Sequence, residues 1–237
     1  MTSIRRMIRG IIFDLDETLI DSLGTYWESF NRGTAIFSLK QVTEKTLAHL
    51  LDEGYRLGEI LIKLFPAIFT DKAQRQLCEN EIRKAYHELQ ADKVGLKPGV
   101  NEILQSLKDK GLKMGIVTGR ATEGEGKWRE LRRLNIGHFV DVMVTAAEAP
   151  AKPAPDGILK CIRELGLSAE ECVFIGDSRV DIMAGKKAGV KTVAVLNGVA
   201  NEQLIASEEP DCVLTDLNLL VPYLDRLRKT EEDSSER

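Results

Sequence analysis

The sequence predicts an α/β fold in which a doubly wound parallel sheet forms a core domain that carries an inserted helical domain. Short apolar runs recur along the chain, and amphipathic stretches that close on glycine separate them. Residues 22–94 instead show apolar residues at helical spacing and almost no strand signal. We therefore predict a core domain of residues 1–21 and 95–228, a helical domain of residues 22–94, and a disordered tail of residues 229–237.

The first predicted strand covers residues 7–13 and ends at Asp14, as a strand buried on both faces would. The later strands are predicted at residues 112–119, 139–146, 171–178 and 191–198, with a sixth candidate at 212–217. The helices between them are predicted at residues 100–111, 156–166 and 180–189. Ligands bind beyond the carboxyl ends of such strands, so we expect the site where Asp14, Thr118 and Asp177 collect.

The composition is that of a globular protein without a polyanionic partner. Of 237 residues, 43% are hydrophobic and 30% are charged, and the net charge is -4. This acidic balance gives no electrostatic reason to expect nucleic acid or a membrane surface as a partner, and no apolar stretch reaches membrane-spanning length. The four cysteines lie far apart without CxxC spacing, so we expect reduced thiols in a cytoplasmic protein.

Acidic residues are crowded at two predicted strand ends. Four of them follow the first strand directly: Asp14, Asp16, Glu17 and Asp21. A second pair, Asp177 and Asp181, has a spacing that lets both side chains face one cavity if a helix starts near residue 178. An isolated aspartate at such a place is usually a turn or capping residue, but clustered carboxylates repel one another. Oxygen ligands without nitrogen or sulfur suit a hard cation, above all Mg²⁺.

Four stretches together resemble the haloacid dehalogenase superfamily, in particular its phosphatase branch that is similar to phosphoglycolate phosphatases. They are FDLDETLIDS at 13–22, IVTG at 116–119, KPAPDGILKCIRELG at 152–166 and FIGDSRVDIMAGKKAG at 174–189. The resemblance spans about residues 8–198. It implies a Rossmann-like core and makes the inserted helices a cap domain.

The resemblance also implies a role for individual residues. Asp14 matches the nucleophile, which forms an aspartyl-phosphate, and Asp16 matches the general acid and base. Thr118 matches the hydroxyl residue that binds a phosphoryl oxygen, and Lys152 matches the cation that offsets the negative charges. Asp177, Asp14 and the backbone carbonyl of Asp16 match the ligands of Mg²⁺, the only cofactor implied. The residues expected to support this site are Thr18, Gly119, Ser178 and Asp181.

Two positions depart from the pattern of the superfamily. Gly119 replaces an asparagine of many relatives, and Arg120 is a candidate to take over its substrate contact through a charge-assisted bond to an acidic substrate. The alternative for Arg120 is an ordinary solvated arginine. Glu17 stands where many relatives have glycine, and we assign it to solvation or to loop hydrogen bonds.

The sequence thus predicts a Mg²⁺-dependent phosphatase that hydrolyses a small phosphomonoester, phosphoglycolate-like or a sugar phosphate, through an aspartyl-phosphate. The alternatives are a sugar-phosphate mutase, a pyrophosphatase, and a non-catalytic binding module on the same fold. A dehalogenase needs no metal and generally lacks an acid at position 16, which argues against it. The expected partner is a small phosphorylated metabolite, without nucleic acid or membrane, and the expected state is a monomer or a homodimer.

Overall fold

The computed structural model describes residues 7–196 and 202–235, with side chains up to residue 228. The chain divides into two compact units, one formed by Met1–Leu19 with Leu96–Arg237 and the other by Ile20–Gly95. Among the described residues, no helix has both the length and the hydropathy needed to cross a membrane.

The first unit is built on a six-stranded parallel sheet. Within the described residues the chain forms these strands: β1 (Gly10–Phe13), β2 (Ile20–Asp21), β3 (Gly95–Leu96), β4 (Lys113–Thr118), β5 (Val142–Thr145), β6 (Cys172–Gly176), β7 (Lys191–Val195) and β8 (Cys212–Leu214). The sheet order is β5-β4-β1-β6-β7-β8, whereas β2 and β3 form a separate two-stranded sheet. Phe13 of β1 is in register with Ile116 on one side and Ile175 on the other. The predicted α/β class and parallel sheet are confirmed.

The helices alternate with the strands along much of the chain. In chain order they are α1 (Leu23–Ala35), α2 (Glu44–Asp52), α3 (Leu57–Leu64), α4 (Pro66–Phe69), α5 (Lys72–Lys93), α6 (Val100–Asp109), α7 (Arg129–Arg133), α8 (Asp156–Leu165), α9 (Arg179–Ala188), α10 (Glu202–Ser207) and α11 (Leu220–Ser235). Helix α8 packs on β4 and β5, and α9 packs on β6 and β7. The face of α8 that carries Ile158, Cys161, Ile162 and Leu165 is buried in the core. This spacing of three and four residues is the amphipathic pattern that the sequence predicts for residues 156–166.

The second unit is helical throughout, apart from its short terminal strands. Its core contains aromatic and aliphatic side chains from all five helices, including Phe30, Leu47, Ile60, Phe69 and Ile82. Helices α1 and α5 pack most closely, because Gly33 has no side chain where a Cβ would lie 2.9 Å from the backbone nitrogen of Ile82. Burial of these residues gives the unit a hydrophobic core of its own.

Helix α11 continues to Ser235, past residue 229, where the sequence predicts a disordered tail. The helical backbone over residues 229–235 differs from that expectation. Residues 236 and 237 of the predicted tail lie outside the described residues, as do residues 197 and 198 of the predicted strand 191–198.

Candidate active site

Three neighbouring strands deliver the polar residues that the sequence places at strand ends. Asp14 follows β1, Thr118 is the last residue of β4, and Asp177 follows β6. Because β1 lies between β4 and β6, the three residues share the carboxyl edge of the sheet. Later strands lie on both sides of β1, with β4 and β5 on one side and β6, β7 and β8 on the other. Open α/β sheets bind ligands at such a reversal of strand order. The backbone N–H of Asp14 donates to the carbonyl oxygen of Ile175 at 2.8 Å and fixes the start of the loop.

Three buried carboxylates form a cluster at this edge. Asp14, Asp177 and Asp181 offer oxygen atoms that all lie within 4.8 Å of one another. Buried like charges at this separation repel, and a divalent cation is the group that relieves the repulsion. Mg²⁺ takes oxygen ligands and commonly one or two carboxylates, so the donor set fits it. Asp14 and Asp177 would hold the ion.

Lys152 lies between two of these acids. Its Nζ donates a hydrogen bond to Asp14 Oδ1 and is 2.5 Å from Asp181 Oδ1. Burial by itself would lower the pKa of Lys152, but the charges of Asp14 and Asp181 outweigh burial and raise that pKa. Lys152 is therefore a permanent cation beside the carboxylate of Asp14.

The carboxyl group of Asp14 has a strongly shifted pKa. Burial raises the pKa of Asp14 to about 7; Lys152 opposes this shift, and Asp181 and Asp16 reinforce it. In the metal-free protein Asp14 is thus partly protonated near neutral pH. A bound cation would favour the ionised form, which is the form able to act as a nucleophile.

The start of α9 fixes Asp181. Ser178 is the N-cap residue, and Asp181 Oδ2 accepts hydrogen bonds from Ser178 N at 3.1 Å and from Ser178 Oγ at 2.6 Å. Gly176 is required here because a Cβ at that position would lie 2.4 Å from Asp181 Cβ. This glycine was not predicted as a site residue, although its place directly before Asp177 at a strand end is a signal that could have found it.

Thr18 supports Asp177 directly. Thr18 Oγ1 donates to Asp177 Oδ1 at 2.9 Å, and both side chains are buried. This hydrogen bond orients the carboxylate across a sequence separation of 159 residues. The resemblance implies that Thr18 supports the site, and this hydrogen bond is the contact through which it would do so.

We expect Thr18→Val to weaken Mg²⁺ binding about tenfold, because loss of a supporting hydrogen bond typically costs about 10- to 100-fold in metal affinity. The matched control is Thr18→Ser, which keeps the hydroxyl and should bind within about threefold of the wild type. The measurement is the Mg²⁺ concentration that gives half of the maximal increase in Tm. Equal affinities for the valine variant and the wild type would show that Thr18 does not support a metal ligand.

Glu17 is buried, so of the two roles assigned to it from the sequence, solvation and loop hydrogen bonds, the structure shows the second. Its Oε2 accepts a hydrogen bond from Lys97 Nζ at 2.7 Å, and the side chains of Glu17 and Lys97 are only 8% and 12% exposed. The backbone of Glu17 has φ of 63°, the left-handed conformation that glycine adopts most easily. The ion pair with Lys97 anchors the loop after β1 to the segment that follows β3.

Thr118 and Arg120 form the opposite side of the site. The backbone N–H of Arg120 donates to Thr118 Oγ1 at 3.2 Å, and the Thr118 hydroxyl keeps its own proton as a donor for an anionic oxygen. The guanidinium of Arg120 contacts the carboxylates of Asp16 and Glu130. Gly119 lies between Thr118 and Arg120 in the sequence, and a Cβ added to it would have open space around it. Glu130 is a site residue that sequence reasoning missed, because a glutamate in a charged helix carries no distinguishing local signal.

Comparison with known proteins agrees with this geometry. Residues 11–195 match the family model described as haloacid dehalogenase-like hydrolase. The chain is 30% identical over 226 residues to a protein of Bacillus mycoides named pyrophosphatase PpaX, covering 93% of this chain and 98% of that protein. It is 28% identical over 239 residues to a phosphoglycolate phosphatase of Salmonella typhi, covering 92% of each chain.

A solved structure shares the architecture. It is the crystal structure of a predicted phosphoglycolate phosphatase from Haemophilus somnus, which superposes with a TM-score of 0.79 at 25% sequence identity. The superposition covers 91% of this chain and 97% of that one. Since the family match includes all three strand ends of the site, the chain belongs to the haloacid dehalogenase-like hydrolases.

Proposed function

We propose that this haloacid dehalogenase-like phosphatase uses Mg²⁺ to hydrolyse a small phosphomonoester, phosphoglycolate-like or a sugar phosphate, through an aspartyl-phosphate. The observation that carries the proposal is the buried cluster of Asp14, Asp177 and Asp181, in which Lys152 forms ion pairs with Asp14 and Asp181. Three buried acids beside a single ammonium group are a costly arrangement for stability alone.

The proposed reaction consists of two displacements at phosphorus, in which each residue of the site has a separate role. In the first, a carboxylate oxygen of Asp14 bonds to phosphorus while the bond from phosphorus to the leaving oxygen breaks, and Asp16 gives that oxygen a proton. In the second, water bonds to phosphorus, Asp16 takes its proton, and the bond between Asp14 and phosphorus breaks. Lys152 and the Thr118 hydroxyl offset charge on the phosphoryl oxygens. A bound Mg²⁺ would supply further charge stabilisation and alignment.

Pyrophosphate hydrolysis is the second candidate function. It is supported by the relative named pyrophosphatase PpaX, whose 30% identity is close to the 28% shared with the phosphoglycolate phosphatase. The same residues can act on either substrate, since phosphate then replaces an alcohol as the leaving group. The alternatives of a sugar-phosphate mutase and a non-catalytic module stay predictions, as do the cytoplasmic location and the monomeric or homodimeric state.

A substrate panel tests the proposal. Purified protein is assayed for phosphate release from phosphoglycolate, several sugar phosphates and pyrophosphate, with Mg²⁺ and with excess EDTA. We expect release from at least one substrate that EDTA abolishes and added Mg²⁺ restores. Conversion of a hexose 1-phosphate to the 6-phosphate without net release would identify a mutase instead. No reaction with any substrate would overturn the proposal.

The apparent affinity for Mg²⁺ should depend on pH. A proton and the cation compete for the carboxylate of Asp14, whose pKa burial raises to about 7. The half-saturating Mg²⁺ concentration should therefore rise about tenfold for each pH unit below about 7 and stay constant above it. Titrations of Tm with Mg²⁺ from about pH 5.5 to about pH 8.5 measure this dependence on both sides of the expected pKa. A half-saturating concentration that does not change over this range would contradict it.

A further inference from the structure

Arg120 binds Asp16 through two parallel hydrogen bonds. Nε of Arg120 donates to Asp16 Oδ2 at 2.9 Å, and Nη2 donates to Asp16 Oδ1 at 2.7 Å. The third guanidinium nitrogen, Nη1, donates to Glu130 Oε2. A two-point contact between a planar guanidinium and a carboxylate fixes both the position and the rotation of the carboxylate.

Exposure to solvent increases from Glu130 through Arg120 to Asp16. Glu130 is 9% exposed, Arg120 is 22% exposed and Asp16 is 37% exposed. Glu130 lies in α7 and also has Arg133 Nη2 at 3.6 Å. The buried end of the chain of contacts is therefore anchored in a helix, and the exposed end is the carboxylate that has to meet a substrate.

We propose that Arg120 is a positioning residue that orients Asp16 for proton transfer, and that Glu130 holds Arg120 in place for this purpose. The inference rests on the proposed function, in which Asp16 protonates the leaving oxygen and then takes a proton from water. An exposed aspartate without a partner samples several rotamers, and a misplacement of about 1 Å can lower a rate by about 100-fold. When Asp16 carries the proton on one oxygen, its other oxygen still accepts from Arg120.

The contacts of Arg120 favour a positioning role over the substrate contact that the sequence suggests for this residue. Each of its three guanidinium nitrogens donates to a protein carboxylate. A direct contact with a second acidic group of the substrate would not by itself require any of these three contacts. A positioning role makes use of these three contacts as they stand.

The test compares two substrates that need a general acid to different extents. An alkyl phosphate has a poor leaving group and depends on protonation, whereas 4-nitrophenyl phosphate has a good leaving group and does not. We expect Arg120→Met to lower kcat/KM, which reports the first displacement, by about 30- to 100-fold for the alkyl ester and by less than about fivefold for the nitrophenyl ester. The value of kcat should fall for both esters, because it also contains the second displacement, in which Asp16 takes a proton from water whichever ester was used. Arg120→Lys should recover only part of kcat, because an ammonium group cannot make the two-point contact.

Variants of Glu130 show whether the contacts act as one unit. Glu130→Gln should lower kcat/KM for the alkyl ester about threefold to tenfold, and kcat/KM for the nitrophenyl ester less. The double variant Arg120→Met/Glu130→Gln should have a kcat/KM no lower than that of Arg120→Met alone. It also replaces the buried Glu130 carboxylate, which loses its partner Arg120 in Arg120→Met and could unfold that variant. Arg132→Met is the matched control, since Arg132 pairs with Glu125, an exposed residue outside the site, and its kcat should equal that of the wild type.

The outcomes are distinguishable. Equal losses of kcat/KM for both esters would mean that Arg120 does not act through protonation of the leaving oxygen by Asp16, and the inference would fail while the proposed function stands. A rise in KM confined to substrates with a second anionic group would assign Arg120 to substrate binding and would also overturn it. If the wild type releases no phosphate from any ester, the proposed function fails first and the inference fails with it.

Discussion

Asp14→Asn is expected to lower kcat by on the order of 10⁴-fold or more for every substrate that the wild type hydrolyses. An amide oxygen is too weak a nucleophile to bond to phosphorus, and Asp14 is the buried carboxylate at the end of β1 that contacts Lys152. The same change should reduce the increase in Tm caused by Mg²⁺, because a neutral amide replaces one of the charged ligands. Phosphate release and Tm are measured on the same preparations.

The fold of this variant should survive, and the direction of the pKa shift explains why. Burial raises the pKa of Asp14 to about 7, above its value in the unfolded chain, so ionising Asp14 removes stability from the metal-free protein as the pH rises from about 4 to about 7. A neutral amide avoids this cost. At about pH 8 without metal, the Tm of Asp14→Asn should therefore be no lower than that of the wild type.

Asp21→Asn is the matched control for this experiment. It makes the same chemical change in the same acidic run, at an exposed residue outside the cluster of carboxylates. We expect it to keep full activity and the full response of Tm to Mg²⁺. Activity in Asp14→Asn within about a factor of ten of the wild type would exclude Asp14 as the nucleophile.

Lys152→Met should cost the protein both stability and activity. Removing the ammonium leaves Asp14 and Asp181 buried without their shared cation, and breaking a buried ion pair costs about 3–5 kcal/mol. In a chain of this size the metal-free Tm should fall by roughly 6–20 °C. The value of kcat should fall about 100- to 1000-fold, as on removal of one group that stabilises charge in the transition state.

The double variant Lys152→Met/Asp181→Asn separates these two effects. It lowers the buried negative charge together with the positive charge, and the amide introduced at position 181 would still offer an oxygen to Ser178. We expect most of the lost Tm to return while kcat stays low. Recovery of both quantities would mean that Lys152 has only a structural role, and recovery of neither would mean that the loss comes from misfolding.

Much of the fold follows from local patterns in the sequence. Strands buried on both faces and helices buried on one face have different hydrophobic periods, and this difference is visible within about ten residues. Helix α8 ends where the sequence places Gly166, which has φ of 67° and caps the helix. The helical backbone of α11 past residue 229 has no such local signal, because the sequence shows there only that residues 229–237 include no apolar side chain.

The residues of the site that end or follow a strand were predictable from the sequence. Contacts between residues far apart in the sequence were less predictable. Asp14, Thr118 and Asp177 each directly end or follow an apolar run, so parallel pairing of β4, β1 and β6 brings them to one edge. The bond from Thr18 to Asp177 spans 159 residues and has no counterpart in any local pattern, so the sequence does not predict it. The family resemblance implies only that Thr18 supports the site.

The sequence by itself determined which acids end the strands, which stretches are helical, and hence the kind of chemistry that this chain can host. Only the tertiary structure decided the partners of the charged side chains. Arg120 reaches Asp16 over 104 residues, and Lys97 reaches Glu17 over 80. The physical reason is that periodicity records whether a residue faces water or the core, a property of each segment. The choice of an ionic partner depends on distances between segments, which exist only in the folded chain.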